Sequence, residues 1–368
     1  MRLCVPYIDD RELEEIRKVL ASGYLTQGPK VAEFEKAIAD FTGCRHAFAM
    51  SSCTTALHLS LVALGIGAGD EVLVADFTFP ATANVVVQQG AVPVLVDIDL
   101  DTYAMNIDDL RSRMTDRSRA IIPVHAFGCS ADMDPILEIA NEQGIPVIED
   151  AATAIGTTYF DRHCGTMGTV GCYSFHPRKV ITTGEGGMIV TNDDGIAERI
   201  KLLRSHGGVR DGYWFRYEAA GFNYRMSDVQ GAIGVAQVEK LPRLIEARQK
   251  AARFLKERLA HIDEITLPAD PPWGGHIYQS FIVLLDKRID RERLIRDLRE
   301  RDVETTIGTY AVHDQPFYQQ AFNYTTGQLR NSHEAFLRTL TLPLYPQISE
   351  SDMAAVAERL EQAIALQT

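Results

Sequence analysis

The 368 residues carry 37 Lys and Arg against 50 Asp and Glu, a formal net charge of −13 that argues against a nucleic-acid-binding surface, because phosphate backbones require clustered cations. Apolar residues make up 46% and charged residues 24%, the proportions of ordinary globular material, so no extended disordered class is indicated. The length exceeds one average core and suggests a large domain with a smaller one beside it. Any anionic substrate must be held by a local basic patch in a cleft, a field that net charge does not report. The best candidate for a membrane span is interrupted by Ser51, Ser52, His58 and Ser60 before it reaches the ~18 apolar residues required, so no membrane association is expected. Met1 to Pro6 lacks the apolar core of a signal peptide, and a cytoplasmic protein is expected. The six cysteines (Cys4, Cys44, Cys53, Cys129, Cys164, Cys172) are widely spaced, with no Cys-x-x-Cys and no zinc-like pairing with histidine; reduced thiols and no metal site are expected.

In chain order, residues 9–22 place Leu13, Ile16, Val19 and Leu20 among charges, the pattern of an amphipathic helix capped by the preceding aspartates and stopped by Gly23. A turn-rich loop, Tyr24 to Pro29, leads to a second amphipathic helix over 31–41. The strand-like Ala47-Phe48-Ala49-Met50 then runs into Ser51-Ser52-Cys53-Thr54-Thr55 and a helix over 56–64. Hydroxyls at a helix start are good N-caps, and the free N–H groups and positive dipole end there also suit a phosphate; local sequence leaves both readings open. Gly65-Ile66-Gly67-Ala68-Gly69 is no dinucleotide loop, because it ends a helix and leads into a strand; it reads as a helix C-cap and turn.

Strands at 71–74, 92–96, 120–124 and 145–148 alternate with helices at 81–89, 107–114 and 133–142. Repeated βα units with nearly unbroken apolar strands predict a mainly parallel sheet covered on both faces, with ligands beyond the carboxyl ends of its strands. Phe79, His125 and Asp150 fall at those ends. Phe79 suits ring stacking or core packing, the latter better fitted by Phe77. Asp150 suits either a helix cap or a partner for a protonated ring nitrogen, with small Ala151 and Ala152 next to it.

Next, Val170-Gly171-Cys172-Tyr173 precedes Ser174-Phe175-His176-Pro177-Arg178-Lys179-Val180-Ile181-Thr182-Thr183-Gly184-Glu185-Gly186-Gly187, and Met188-Ile189-Val190-Thr191 follows. Lys179 therefore sits on a loop between two buried strands. It is either a solvated surface lysine or a desolvated amine of the kind that forms a Schiff base with an aldehyde. A helix over 194–205 and a Gly, Arg and Tyr-rich loop over 207–217 lead to Gly221-Phe222-Asn223-Tyr224-Arg225-Met226-Ser227-Asp228, which caps a long helix from Val229 on past Pro242. Pro242 marks the expected junction between residues 1–241, an N-terminal arm and large domain, and residues 242–368, a small C-terminal domain. The latter shows a charged helix over 243–259, a strand over 278–285 and helices over 291–300 and 349–366, an α+β pattern.

The stretch from Ser174 to Lys179 with its Gly184-Glu185-Gly186-Gly187 tail resembles the cofactor-lysine motif of the DegT/DnrJ/EryC1/StrS family of sugar aminotransferases. The likeness runs from Tyr24-Leu25-Thr26-Gln27-Gly28-Pro29 to Tyr310-Ala311-Val312-His313 and beyond. It implies the fold type I architecture of α/β transferases dependent on pyridoxal 5′-phosphate. In that family Lys179 would carry the cofactor, Asp150 would hold its ring nitrogen, and Phe79 would stack on its ring. The Ser/Gly-x-Thr turn that grips the cofactor phosphate matches Cys53, Thr54 and Thr55, and Ser174 belongs to the same cofactor set. Asn223, from the Asn-x-Arg-Met signature, would reach the phosphate of a neighbouring subunit, which implies a homodimer with shared active sites. Here the family's Asp-Ala-Ala-Gln-Ala-His is Asp150-Ala151-Ala152-Thr153-Ala154-Ile155; Thr153 replaces a residue near the cofactor's phenolic oxygen, for which its hydroxyl offers one donor. Thr26, His176, Arg178, Arg225 and His313 are the candidate substrate contacts.

The reaction implied moves an amino group from an amino acid, glutamate above all, to a keto sugar that is expected to be nucleotide-linked. The segment Ile181 to Met188 resembles members acting at C4 of the sugar, making amino sugars for surface polysaccharide or natural products. Two other readings share the fold: a sugar dehydratase, whose relatives replace the lysine by histidine, and a non-catalytic regulatory or binding relative. A nicotinamide oxidoreductase is disfavoured because no strand, Gly-x-Gly-x-x-Gly and helix occur in that order.

Overall fold

A computed structural model describes residues 1–367. Its centre is a sheet in which 92–96, 71–75 and 118–122 run parallel. The bridges Ile121↔Val147 and Val124↔Asp150 carry the sheet on to 148–150 and 170–174, which are also parallel. Strand Gly187–Thr191 is reversed between 170–174 and His46–Met50. The cause is local: the segment from 175 to 186 turns straight back as a loop with no crossover helix, and a strand joined that way must be antiparallel. The βα stretches before it use helices Ala81–Gln88, Ile107–Arg113 and Met133–Gln143, and each sends the chain back to a parallel neighbour.

Helix ends follow the sequence signals. Asp9 caps Asp10–Ser22 in a capping box with Glu12, and Gly23 closes it at φ 74°. Gly65, at φ 76°, closes Cys53–Leu64 as the glycine-rich turn suggests. That helix starts three residues earlier than apolar periodicity indicates, because Ser52 and Thr55 form a reciprocal cap.

Helix Asp228–Leu259 is continuous through Pro242. Proline removes one backbone donor from a helix, and here the packing on both sides outweighs that loss. Val235 to Leu244 lie in the core that includes the central sheet, whereas Ala251 to Leu259 lie in a second core with Phe281, Leu294, Leu340 and Leu360. The second core backs an antiparallel sheet of 265–266, 281–285, 339–342 and 306–307, covered by Arg291–Glu300 and Glu350–Ala365. The chain does not stay there. Tyr310–Ala311 pairs with Phe77–Thr78 of the N-terminal half, and Val312, Tyr318 and Leu329 are buried with Leu57 and Leu95. The N-terminal arm crosses in the opposite direction, with Leu344 N–H donating to Leu3 O at 3.3 Å and Glu304 N–H to Met1 O at 3.0 Å.

Residues 207–217, expected as a loop, form instead a hairpin of Gly208–Asp211 and Trp214–Tyr217 with all but its first residue exposed. Its alternation of arginine with aromatic residues hid the strand, because neither face is apolar in the manner of a half-buried ribbon.

Candidate active site

The two cores face each other across a cleft of about 620 Å³ at the carboxyl ends of 148–150 and 170–174. Lys179 stands half-buried in its floor. The loop that carries it is tied from several sides. Phe175 O accepts from Thr183 N–H and the Thr182 hydroxyl at 3.0 and 2.8 Å. Gln237 Oε1 accepts from Thr182 N–H at 3.2 Å and Gln230 donates to Glu185 O at 2.6 Å, fixing the loop to the long helix. Gln279 donates to Arg178 O at 2.8 Å from the C-terminal side. A lysine on a loop is thus held almost as firmly as one on a strand. Burial lowers its pKa, opposed by Cys53 and Asp150 and reinforced by Arg178, so more of it is free amine at neutral pH than for a solvated lysine.

Asp150 ends strand Ile148–Asp150 and is 5% exposed. Thr82 donates its hydroxyl to Oδ2 at 2.8 Å, and Ala152 N–H donates to Oδ1 at 3.1 Å. Burial raises its pKa more than these bonds and the charges of Lys179 and His125 lower it. A carboxylate desolvated in this way is completed by a cationic partner inside the cleft.

At the other end, the N-terminus of helix Cys53–Leu64 opens into the cleft. Ser52 Oγ accepts from Thr55 N–H at 3.1 Å, whereas the N–H groups of Cys53 and Thr54 have no acceptor among the described residues. Ser174 also lines the cleft and its hydroxyl proton is unassigned. Gly187 makes the turn possible, since a Cβ there would stand 2.4 Å from Ser52 C and 2.5 Å from Cys53 N. Free N–H donors, a hydroxyl and a helix dipole at one end fit a phosphate; a desolvated carboxyl at the other fits a protonated pyridine nitrogen, and a low-pKa amine between them fits an aldehyde. Pyridoxal phosphate fits the residues present.

Phe79 is 66% exposed over the same cleft while Phe77 is fully buried, the division of labour the sequence suggested. Other expected residues stand differently. Thr55 is turned into the cap: its hydroxyl donates to Ser52 O at 2.8 Å, so it shapes the phosphate turn without lining the cleft. Thr153 lines the cleft but gives its proton to His125 O at 2.6 Å and accepts from Gly128 N–H at 3.2 Å, so it has no proton left for a phenolic oxygen. His125 sits at a strand end as expected and is fully buried, 2.8 Å from Glu149 and outside the cleft lining. His313 is likewise fully buried, against Asp76 at 2.6 Å, and contributes no substrate contact in this arrangement.

Arg178 is exposed at the cleft mouth, and its guanidinium has no acidic partner within 4.0 Å among the described residues. His176 lines the cleft too, but burial lowers its pKa, so at neutral pH it is a hydrogen-bonding group with no charge. Arg225 donates to Ser205 Oγ at 3.0 Å away from the cleft, and Thr26 and Asn223 are exposed outside it. Sequence reasoning missed Leu3, Cys4, Gln279 and Thr306, which form the C-terminal wall. They are far apart in the chain, and no local pattern marks a residue that reaches a cleft only through packing of a terminal arm. Thr82 was findable, since it lies within the same Phe-Pro-Ala-Thr turn as Phe79.

The model of the DegT/DnrJ/EryC1/StrS aminotransferase family matches residues 6–361. GDP-perosamine synthase of Caulobacter vibrioides is 38% identical over 98% of both chains. The aminotransferase TlmJ from Streptoalloteichus hindustanus is 32% identical with a TM-score of 0.93, covering 100% of this chain and 99% of its own. Helicobacter pylori PseC, an aminotransferase involved in the biosynthesis of pseudoaminic acid, is 25% identical with a TM-score of 0.95 over 99% of each.

Proposed function

This chain belongs to the DegT/DnrJ/EryC1/StrS aminotransferase family and is a pyridoxal-phosphate-dependent sugar aminotransferase; from that premise we propose that it takes the amino group of L-glutamate and places it at C4 of a nucleotide-linked 4-keto sugar. The observation that carries the reading is the juxtaposition, in one cleft, of the desolvated Lys179 amine, the Asp150 carboxyl and the open helix end at Cys53 and Thr54. The likeness to a GDP-perosamine synthase supports a nucleotide-linked substrate. Arg178, unpaired at the mouth, is the group best placed to meet its diphosphate.

When bound, the cofactor supplies an aldehyde for the donor's amino group and a conjugated ring that takes up the electron pair left when Cα loses its proton. Lys179 does the rest of the covalent work. Its Nζ would hold the cofactor until an amino substrate takes its place, and as a free base it would take up the Cα proton and return it to the carbon on the other side of the nitrogen. Desolvation favours that base form. Asp150, with Thr82 fixing Oδ2, would keep a proton on the ring nitrogen, and Phe79 would orient the ring face. Cys53 and Thr54 N–H and the Ser174 hydroxyl would hold the phosphate. Donor and acceptor use the same groups in opposite order, so one site serves both halves of the exchange.

The test is a half-reaction. Enzyme first converted by L-glutamate to its amine-loaded, visibly colourless form is mixed with a panel of nucleotide-linked 3-keto and 4-keto sugars. Return of the visible band with the 4-keto members supports the assignment. Return with the 3-keto members alone moves the chemistry to the neighbouring carbon, and no return with any sugar refutes a nucleotide-linked acceptor.

We further infer a homodimer in which each copy completes the other's site. The exposed hairpin supports this: Tyr213, Trp214, Phe215 and Tyr217 are 97, 78, 60 and 67% exposed, an aromatic surface of the kind interfaces bury. Asn223 is exposed a few residues on, bridged to Ser205 at the base of the hairpin. Co-expressing Lys179→Ala with Asn223→Asp, each inactive alone, is expected to restore activity, because mixed dimers contain roughly one intact site in two. A mixture that stays inactive, or an active Asn223→Asp homodimer, contradicts shared sites.

A further inference from the structure

We propose that His313, Asp314 and His333 form a binding site for a divalent transition-metal ion, zinc by the chemistry of its donors, that fastens one wall of the cleft. A ligand atom from each of the three lies within 4.8 Å of the others. His313 Nδ1 stands 2.6 Å from Asp76 Oδ2, and its backbone N–H donates to Asp76 Oδ1 at 2.7 Å. Asp76 therefore fixes the ring with its Nδ1 proton on the carboxylate and its Nε2 turned the other way. Metal-ligating histidines are held in this manner by an outer carboxylate.

What Nε2 faces is the second observation. It lies 3.2 Å from Asp314 Oδ1, and the N–H of Leu329, at 3.4 Å, is too distant to satisfy its lone pair well. A lone pair opposite a carboxylate oxygen is repulsive unless a positive species stands between them. The other oxygen of Asp314 is 2.5 Å from His333 Nδ1, and Gly327 N–H donates to Oδ1 at 3.0 Å, helping to fix the carboxylate. One ion among Nε2 of His313, the Asp314 carboxylate and Nδ1 of His333 would be bound by all three once His333 draws back from its direct 2.5 Å contact with Asp314. Two imidazoles and a carboxylate are the donors of a three-ligand zinc site and are too nitrogen-rich for magnesium or calcium. Entry is open from one side: the side chains of His313 and Asp314 are 0% and 6% exposed, that of His333 29%.

The site's place in the fold gives it a purpose. His313 lies two residues beyond Tyr310–Ala311, the strand that pairs with Phe77–Thr78, and Thr309 and Phe79, at one end of that pairing, line the cleft. His333 lies on helix Arg330–Arg338, whose first turn is separately anchored by Asp97 through Ser332 N–H at 2.8 Å. An ion at this point clamps the returning segment to the sheet without touching the reacting groups.

Holoenzyme dialysed with zinc sulfate and then against metal-free buffer is expected to retain roughly one equivalent of zinc by elemental analysis, and zinc is expected to raise its Tm. His333→Gln, on the open side of the cluster, and Asp314→Asn are expected to lose both effects, and Asp76→Asn to weaken binding about 10–100-fold. Cys4→Ser, which alters the half-buried thiol, should leave zinc binding unchanged. Wild-type enzyme that retains no zinc, or His333→Gln and Asp314→Asn variants that retain it as firmly as wild type, would overturn the proposal and leave a proton between His313 and Asp314. Loss of binding in Cys4→Ser would overturn it as well.

Discussion

Lys179→Ala is expected to abolish the visible band of the purified holoenzyme and to lower kcat by about 10⁴-fold, the upper range for loss of a positioned acid and base. The size of the effect follows from two roles resting on one amine, since no other lysine lines the cleft among the described residues. A free amine in the medium separates those roles. Methylamine can accept the Cα proton in the space left by the side chain and should restore part of the rate, but it cannot restore covalent attachment to the protein. The fold should be indifferent to the change: burial depresses the Lys179 pKa, so removing this amine does not weaken the apo protein at neutral pH. A variant that keeps its colour and its rate within tenfold contradicts these roles.

Asp150→Asn is the second large effect, and its two readouts move in opposite directions. Loss of the charge opposite the ring nitrogen is expected to lower kcat by roughly 10²–10³-fold, comparable to removal of one preorganised electrostatic group. The apo variant, in contrast, should melt higher than the apo wild type at pH 7. The sign follows from burial, which raises the folded-state pKa of Asp150 above its ordinary value. Between the unfolded and folded values the folded chain binds more protons, so stability falls as pH rises through that window and stays lower above it. Asparagine removes this dependence. The hydrogen bonds can adjust, because Thr82 can turn its proton to Phe79 O at 3.1 Å and accept from the new amide. Cofactor binding should erase the wild-type penalty by giving the carboxylate its cationic partner. An unchanged kcat, or an apo variant that melts lower, argues against this role for Asp150.

The alternation of apolar strands with amphipathic helices from Glu71 to Asp150 is a matter of period and length, and the sheet follows it closely. Lys179, Asp150 and the turn at Cys53 stand where that pattern breaks, a lysine between buried strands, an acid closing an apolar run and hydroxyls opening a helix; locally each also has a plain reading, and the family resemblance is what gives them cofactor roles. His313 and Thr153 went the other way. Each carries the right chemistry to contact substrate or cofactor, and each is drawn off by a partner that sequence does not place beside it, Asp76 holding His313 outside the cleft and the His125 carbonyl taking the Thr153 proton. The hairpin at Gly208 and the reach of the N-terminal arm into the cleft wall were missed for a related reason, since neither an exposed ribbon that mixes arginine with aromatic residues nor a terminal segment shows the periodic burial that marks an element. The long helix runs on past Pro242 as its sequence indicates, because the packing of Asp228–Leu259 against two cores holds it through that residue.

The most direct measurement is chemical. Holoenzyme is reduced with borohydride, digested, and its peptides are weighed. The cofactor-derived mass should appear on the peptide containing Lys179 and on no other lysine. An active enzyme whose Lys179 peptide carries no added mass, or whose cofactor is found on a different lysine, would contradict the assignment of this cleft.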